Sequence, residues 1–260
     1  MEQLHDHLLP LGLAGVDNNL ETHLERAGRE NPSYADFLLG LVAEETSFRK
    51  DKSLTGRIQQ SRLPYVKTLE QFDFAFQPSI DKRQIQELQT LRFVHEAENV
   101  VFLGPPGVGK THLSVALAME AMKAGFSAHY STAQDLVTDL GKAAREGKLA
   151  QKLKTYLRPK VLVIDEIGYL PLDELGATLL FQLVSTRYER GSILLTSNKS
   201  FADWGSIFND TVLASAILDR LLHHATTVNI RGQSYRLKER KKAGLLSAPA
   251  IALEDSKPKN

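Results

Sequence analysis

The sequence predicts an α/β fold in which helices flank a parallel β-sheet, preceded by a small all-helical region. Short apolar segments with strand character alternate with helical patterns over the second half of the chain, which is typical of parallel βα units. One of these segments runs directly into a glycine-rich loop followed by a helix, and another ends in two adjacent acidic residues. Both features therefore lie at strand ends, where a parallel sheet carries its chemistry.

Residues 1–66 carry apolar side chains at helical spacing and are predicted to form a helical N-terminal domain. The Asn31-Pro32 pair interrupts the pattern and separates two helices. Ser33 and Asp36 have the spacing of a capping box, which predicts that the second helix begins there.

Residues 67–98 are predicted to be a connector. Phe72, Phe74 and Phe76 alternate with polar or small residues, which predicts a short extended piece with one aromatic face. A helix over residues 85–94 is then predicted to lead into the first strand. The aromatic face is equally consistent with packing in the core and with flanking a nucleotide base at the glycine-rich loop that follows.

The core of the fold is predicted to be a five-stranded parallel sheet with helices between the strands. The strand candidates are residues 99–103, 127–131, 161–165, 192–197 and 226–230.

Residues 104–111 read Gly-Pro-Pro-Gly-Val-Gly-Lys-Thr and match the phosphate-binding loop signature, with a strand before and a helix after. The glycines let backbone N–H groups turn towards a phosphate at the positive end of the following helix. Lys110 adds a cation for the outer phosphates, and Thr111 offers a hydroxyl to Mg²⁺. The predicted nucleotide-contacting residues are Gly104, Pro105, Pro106, Gly107, Val108, Gly109, Lys110, Thr111 and His112.

The strand candidate 161–165 ends in Asp165 and Glu166, about 60 residues after the phosphate-binding loop. Asp165 is predicted to hold Mg²⁺ together with Thr111, and Glu166 to activate the attacking water. This pairing favours nucleotide hydrolysis over phosphoryl transfer to a metabolite. A strand followed by an ordinary polar turn is the alternative, and the spacing to the loop argues against it.

Two further side chains are candidates for the hydrolytic site. Asn198 follows the strand 192–197 and is predicted to hydrogen-bond the attacking water, with a helix cap as the alternative. Arg220 lies in a helical segment from which it could reach the nucleotide of a neighbouring subunit. The alternative for Arg220 is an ordinary ion pair, and the residues alone leave both open.

Composition sets outer limits on function. The chain has 260 residues, no cysteine and a formal net charge of +1. Disulfides and cysteine-ligated zinc are excluded, and nucleic-acid binding would have to come from local basic patches. The N-terminus lacks the basic segment of a secretory signal, and no apolar run approaches the ~20 residues that a membrane span needs. We therefore expect a cytoplasmic protein without a membrane partner.

Several motifs together resemble the IstB family, the ATPase helper proteins of insertion sequences, which are related to the DnaC helicase loaders. The resemblance covers roughly residues 8–245. It rests on the loop with His112-Leu113, the run Asp165-Glu166-Ile167-Gly168-Tyr169-Leu170, Thr196-Ser197-Asn198, Leu11-Gly12-Leu13-Ala14, Phe72-Asp73-Phe74 and Leu218-Asp219-Arg220.

The resemblance implies an AAA+ P-loop NTPase core with strand order 5-1-4-3-2. Only about 30 residues follow the last strand candidate, too few for a full lid domain, and the family shares this truncation. The implied organisation is a helical domain over 1–66, a connector over 67–98, an ATPase domain over 99–245 and a disordered tail over 246–260.

The resemblance also assigns roles to residues. Asn198 corresponds to the sensor-1 residue, and Arg220 corresponds to the finger that acts on a neighbour. Arg236 corresponds to the sensor-2 arginine, here carried by a short C-terminal segment instead of a lid. Lys110, Glu166, Asn198 and Arg220 are thus the expected catalytic set, with Thr111 and Asp165 holding Mg²⁺.

The implied function is Mg²⁺-dependent, DNA-stimulated hydrolysis of ATP at the interfaces of a homo-oligomer. The oligomer is expected to assemble on double-stranded DNA with little sequence preference and to direct a partner transposase. The alternative partner is a replicative helicase, as for DnaC. Rival classes are a metabolic kinase and a nucleotide-gated DNA-binding module that does not hydrolyse ATP.

In related initiator-like proteins, the segment between the second and third strands faces DNA. Here that segment is basic, and its residues are expected to contact phosphates, although a solvated helix face is the alternative. The candidates are Lys142, Arg145, Lys148, Lys152 and Lys154, with Arg158 beside them and a smaller patch at Arg240, Lys241 and Lys242.

Overall fold

The computed structural model describes residues 2–242, with side chains described from 2 to 238. The predicted disordered tail, residues 246–260, lies outside the described residues, as do the side chains of the patch at 240–242.

Three helices form the N-terminal region: α1 (Glu2–Leu8), α2 (Ala14–Glu30) and α3 (Tyr34–Ser61). The predicted cap is confirmed, because Ser33 Oγ accepts the backbone N–H of Asp36 at 3.2 Å. The start of α2 is capped from α3, since Glu45 Oε2 accepts the N–H of Gly15 at 2.8 Å. Because Gly15 has no side chain, the helices approach closely, and a Cβ there would lie 2.5 Å from the Cβ of Phe48.

The second half of α3 packs on the core of the molecule. Leu54 and Ile58 lie against the buried apolar cluster beneath the sheet. Arg57 Nη1 donates to the carbonyl oxygen of Met122 at 3.3 Å. The continuous helix α3 therefore packs against α2 and also against the sheet domain.

The prediction of an extended aromatic piece in the connector is wrong. Residues 69–80 form successive turns, in which the N–H of Phe72 donates to Leu69 O and that of Gln77 to Phe74 O. Asp73 Oδ1 accepts the N–H of Phe76 at 3.0 Å, and such a local side-chain bond offers the backbone an alternative to a strand.

The single helix predicted over residues 85–94 is two helices, α4 (Lys82–Gln89) and α5 (Arg92–His95). Leu91 separates them with a left-handed φ of 63°. The apolar spacing continues through the break, since Leu88, Leu91 and Val94 are all buried, so periodicity alone could not locate it.

The sheet has five parallel strands in the order β2-β3-β4-β1-β5, which confirms the predicted order. Their bounds are β1 Asn99–Leu103, β2 Ala128–Thr132, β3 Val161–Ile167, β4 Ser192–Ser197 and β5 Ala225–Asn229. The intervening helices are α6 Lys110–Lys123, α7 Ala133–Arg145, α8 Leu149–Leu157, α9 Glu174–Arg187, α10 Gly205–Phe208 and α11 Thr211–Leu222, with a 3₁₀ turn at Phe201–Asp203. In the described part of the chain, a single helix, α12 (Tyr235–Lys242), follows β5.

The parallel register brings the strand ends to one edge. Leu103 at the end of β1 pairs with Ser197 of β4 and with Asn229 of β5. Between β3 and β4 the register shifts, because Ile164 pairs with Leu195 whereas Ile167 pairs with Ser197. The extra residue forms a bulge at Asp165-Glu166, and bulges re-aim side chains at such positions.

A buried arginine ties the two central strands together at their other end. Arg187, at the end of α9, is 2% exposed and donates to the carbonyl oxygens of Tyr156 at 2.7 Å and Ser192 at 2.9 Å. Burial lowers the pKa of its guanidinium to about 10. Backbone carbonyls thus satisfy the two terminal nitrogens of this buried cation and fix the segments from which β3 and β4 begin.

Candidate functional site

The phosphate-binding loop, residues 104–111, is enclosed by two other parts of the chain. Gly107 has φ 80°, and a Cβ there would lie 2.1 Å from Ser234 Oγ. Gly109 has φ 103°, and a Cβ there would lie 2.5 Å from the Phe72 ring. The C-terminal segment and the connector therefore contact the loop directly, and both positions require glycine.

Lys110 begins α6 and is 5% exposed. Its ammonium donates to the carbonyl oxygens of Gly104 at 2.7 Å and Pro105 at 2.9 Å. Burial lowers the pKa of Lys110 from 10.5 to about 8, while the negative charge of Asp165 opposes the shift. The cation is thus held over its own loop, in reach of a phosphate bound there.

Asp165 lies at the centre of a hydroxyl cluster. Its carboxylate is 2% exposed and accepts from Thr111 Oγ1 at 3.0 Å, as expected of two residues predicted to share Mg²⁺. It also accepts from Tyr130 at 2.7 Å and from Thr196 at 2.5 Å. Burial beside Asp165 raises the pKa of Tyr130, which keeps that phenol protonated as a donor.

Sequence reasoning missed Tyr130 and Thr196 as partners of Asp165. Both lie near the carboxyl ends of strands that flank β3, and of the two only Thr196 belongs to a motif that carries the resemblance. Strand order was the signal that could have found them, because it makes β2 and β4 the neighbours of β3.

Glu166 has a left-handed backbone with φ 64°, which is uncommon for a residue with a long side chain. Its N–H donates to Thr196 Oγ1 at 2.9 Å. Its side chain is exposed and lines the cavity in front of the loop. Strained backbone conformations of this kind are concentrated at functional sites, where they orient a particular side chain.

The cavity in front of the loop gathers residues from four regions of the chain. The connector side supplies Tyr65, Gln71, Phe72, Asp73 and Gln77; the loop and α6 supply residues 107–112; the others are Glu166, Tyr169, Tyr235 and Arg236. Phe72 is both buried in the core and part of the cavity wall, so packing in the core is confirmed for it, while contact with a nucleotide base stays a prediction. The three tyrosines were not predicted.

His112 lines this cavity, yet its ring faces the connector. Nε2 lies 2.9 Å from Thr68 O, and the ring meets Phe72 edge-on with centroids 5.2 Å apart. Burial lowers the pKa of His112, which favours the neutral ring. The residue predicted to contact nucleotide therefore also fastens the connector to α6.

Arg236 reaches the loop from α12 of the same chain. The N–H of Tyr235 donates to Gly107 O at 2.9 Å, which places the start of α12 on the loop. Gln77 Nε2 donates to Gln233 O at 3.0 Å and holds the same segment from the connector side. Within residues 2–242, a single short helix thus brings an arginine to the cavity.

Asn198 and Arg220 lie outside this cavity. Asn198 follows β4, and its Oδ1 is buried without a hydrogen-bond partner among the described residues. The next helical turn begins after Ser200, so Asn198 is not a helix cap.

Arg220 lies on α11. Its Nη1 donates to the carbonyl oxygen of Ala216 at 3.0 Å, and the guanidinium carbon lies 4.8 Å from the centre of the Phe181 ring. These contacts point the cation to a face of the subunit other than its own nucleotide cavity.

The predicted DNA-contacting residues do not form one row. Lys142, Arg145, Lys148 and Lys154 are exposed, as is Arg158. Lys152 is half-buried and pairs with Asp139. Lys142 and Lys148 border one surface groove with Lys152, whereas Arg145 borders a different groove between α7 and α9.

The described α-helices run from 4 to 28 residues. None of them is both long enough and apolar enough to cross a membrane.

Comparison with known proteins gives consistent matches. The family model for IstB-like ATP binding proteins matches residues 7–243. A Pseudomonas aeruginosa protein named for ATP binding in insertion sequence IS21 is 48% identical over 98% of this chain and 96% of its own length. A counterpart named for insertion sequence IS5376 in Geobacillus stearothermophilus is 47% identical over 92% of this chain and 96% of its own. The crystal structure of the DnaC helicase loader has a TM-score of 0.50 and 27% identity, covering 65% of this chain and 96% of that one.

Proposed function

Because the chain belongs to the family of IstB-like ATP-binding proteins, we propose that it hydrolyses ATP with Mg²⁺ and uses the nucleotide to assemble on DNA. The observation that carries the proposal is the contact of Thr111 with Asp165, beside an exposed Glu166 on the same cavity. This arrangement places groups suited to a metal and to a water at one edge of the sheet.

Mg²⁺ prefers oxygen ligands, and the oxygens of Thr111 and Asp165 fit that preference. These two residues would hold the ion, directly or through water, and the ion would neutralise charge on the outer phosphates when bound. The loop amides and Lys110 bind the same phosphates, and Lys110 then exchanges its carbonyl partners for phosphate oxygens.

Glu166 is the proposed general base, since its carboxylate is exposed on the cavity wall and can accept a proton from water. Arg236 is proposed to contact the bound nucleotide from within the subunit. Asn198 is proposed to orient the water, because it directly follows β4, the strand that lies beside the one carrying Glu166.

Arg220 supports a homo-oligomer with nucleotide at the subunit interfaces. It lies outside the cavity of its own subunit, so the proposed finger would act on a neighbour. Assembly and turnover would then be coupled, because each site is complete only when a second subunit is present.

Double-stranded DNA and a transposase are the proposed partners. The transposase is supported by the insertion-sequence names of the relatives, and DNA binding by the exposed cations of α7 and α8. A helicase-loading role is the second candidate, favoured by the likeness to the DnaC loader. Binding assays with the transposase of the same insertion sequence and with a replicative helicase distinguish the two.

The Glu166→Gln variant tests the hydrolytic mechanism. We expect it to bind ATP with wild-type affinity, to release phosphate at least ~100-fold more slowly, and to remain on DNA as an oligomer. Phosphate release, nucleotide affinity and DNA-bound mass are measured with and without double-stranded DNA. A wild-type protein that binds ATP without turnover would instead establish the non-hydrolysing DNA-binding module.

A further inference from the structure

Thr196 contacts both acidic residues of β3 through one hydroxyl. Its Oγ1 donates to Asp165 Oδ1 at 2.5 Å and accepts the N–H of Glu166 at 2.9 Å. A hydroxyl has one proton to donate and lone pairs to accept, so both bonds can exist together. The side chain is 1% exposed, which keeps water from competing for either bond.

The hydrogen bond from the Glu166 N–H to Thr196 Oγ1 replaces a ladder bond that the bulge between β3 and β4 removes. The register between β3 and β4 shifts between Ile164 and Ile167, so the amide of Glu166 falls out of the regular ladder. An amide left unpaired at such a site costs free energy, and the Thr196 hydroxyl satisfies it. The same bond supports the left-handed backbone that aims the Glu166 side chain at the cavity.

Tyr130 provides a second, separate restraint on the pair. Its hydroxyl donates to Asp165 Oδ2 at 2.7 Å from β2, on the opposite side of β3 from Thr196. Tyr130 therefore restrains Asp165, whereas Thr196 restrains Asp165 and the backbone of Glu166.

We propose that Thr196 is a positioning residue that sets the orientation of both the metal-holding Asp165 and the water-activating Glu166. The inference rests on the proposed ATPase function and adds to it a residue to which that function assigns no role. Through Thr196, the end of β4 controls the geometry of β3, so both carboxylates keep their orientation before nucleotide arrives.

Four substitutions separate this role from a structural one. Thr196→Val removes the hydroxyl and keeps the shape, whereas Thr196→Ser keeps the hydroxyl. Tyr130→Phe removes the donor to Asp165 alone. Tyr156→Phe is the control, because Tyr156 is 1% exposed, like Thr196, and donates to Asp139 at 3.1 Å, away from the site.

We expect Thr196→Val to lower kcat by ~10- to 100-fold and to raise the Mg²⁺ concentration needed for tight nucleotide binding, as is usual when a partner of a metal ligand is lost. Tyr130→Phe should raise the Mg²⁺ requirement by ~3- to 10-fold and lower kcat less than Thr196→Val does, because it leaves the backbone of Glu166 restrained. Thr196→Ser should restore both properties, and Tyr156→Phe should change neither.

The assays are phosphate release at varied ATP and Mg²⁺, and binding of a slowly hydrolysed ATP analogue during Mg²⁺ titration. Thermal unfolding checks that each variant is folded, and Thr196→Ala replaces Thr196→Val if the latter does not fold. Wild-type kcat and Mg²⁺ dependence in the variant lacking the hydroxyl would overturn the inference, as would a Thr196→Ser protein as impaired as Thr196→Val.

The two proposals fail differently. If wild-type protein binds the analogue but releases no phosphate, the ATPase proposal fails, while the Mg²⁺ titration still tests the Asp165 part of the inference. If wild-type protein turns over ATP and Glu166→Gln stops it, unchanged turnover in the Thr196→Val protein defeats the inference alone.

Discussion

Lys110 holds a charge that its surroundings make costly. In the free protein, burial lowers its pKa from 10.5 to about 8. Bound phosphate would favour the charged form and raise that pKa again. Between these two pKa values nucleotide binding takes up a proton, so the site is coupled to pH through a single side chain.

We therefore expect the affinity for ATP to fall as the pH rises above about 8, by up to about tenfold per pH unit. The sign follows because the free protein loses the Lys110 proton that the complex needs. Calorimetric titration from pH 7 to 9, in two buffers of different ionisation enthalpy, measures both affinity and proton uptake. Lys110→Arg is the control, since arginine stays charged over this range, and a flat wild-type profile would contradict the prediction.

The same depressed pKa affects folding with the opposite sign. Between about 8 and 10.5 the unfolded chain binds more protons at Lys110 than the folded one. The contribution of this group to stability therefore rises with pH across that window. At high pH the nucleotide-free protein is thus slightly more stable against unfolding, although it binds nucleotide less tightly.

Residue identities in the site were predictable where a local motif specifies them. Thr111, Asp165 and Glu166 were expected together, and the Thr111–Asp165 contact and the cavity bring them together. The left-handed conformation of Glu166 was not predictable, because it depends on a bulge against β4 and a hydroxyl from Thr196. Contacts between strands distant in sequence have no signature in either strand alone.

At the scale of elements, α7 and α8 carry the predicted DNA surface, and its lysines differ in exposure and in ion pairing. Lys142 and Lys148 are exposed and border one groove, and Lys148 makes only a 3.6 Å ion pair with the exposed Glu146, whereas Lys152 in the same groove is half-buried and closely paired with Asp139. Phosphate contacts require accessible cations, so Lys142 and Lys148 should contribute more than Lys152.

We expect the double variant Lys142→Gln, Lys148→Gln to weaken binding to double-stranded DNA of any sequence. A plot of log affinity against log salt concentration should have a slope that is shallower by about 2, because each lost phosphate contact removes ~0.9 from the slope. Fluorescence anisotropy at several salt concentrations gives both values. Lys152→Gln is the matched control with a smaller effect, and an unchanged slope in the double variant would place the DNA surface elsewhere.

Elements were predicted well where hydrophobic periodicity is simple. The strands β1 and β4 have the predicted bounds, and β2 and β5 differ by one residue at each end. The connector was mispredicted, since alternation of Phe72, Phe74 and Phe76 has the period of a strand while Asp73 directs a turn. Local side-chain bonds outweighed the pattern there.

At the scale of the whole molecule, the position of Arg220 predicts cooperation between subunits. Its guanidinium lies over Phe181 and outside its own nucleotide cavity. Arg220→Ala should therefore bind ATP normally and lose most of its hydrolysis, because the lost charge belongs to the neighbour's reaction.

Mixing experiments test this arrangement. Lys110→Ala subunits cannot use their own site but can supply Arg220 to an Arg220→Ala neighbour, so mixtures should recover part of the ATPase activity that each variant lacks. Arg190→Ala, at an exposed arginine outside the cavity, is the control and should keep full activity. If no mixing ratio restores turnover, Arg220 does not act between subunits.

The order of the five strands was predictable from the resemblance, because the family's motifs fall on the ends of β1, β3 and β4. The path of the chain around the site was not. Tyr65, Tyr169 and Tyr235 reach the cavity from separate segments, and although Tyr169 belongs to one of the family's motifs, nothing in the sequence predicts that these side chains line the cavity.

The contact of Gln77 with Gln233 joins segments 156 residues apart, with the phosphate-binding loop between them. During synthesis, the segment around Gln77 leaves the ribosome long before the segment around Gln233 has been made. Strand β5, which pairs with β1, and Ser234, which contacts Gly107, are also among the last described parts to appear. Since chains emerge at ~5–20 residues per second, a nascent chain passes many seconds with its loop uncovered. If Arg236 has its proposed role, the nucleotide site is therefore completed only after β5 and α12 have been synthesised, and a fragment that ends before β5 lacks both that strand and that arginine.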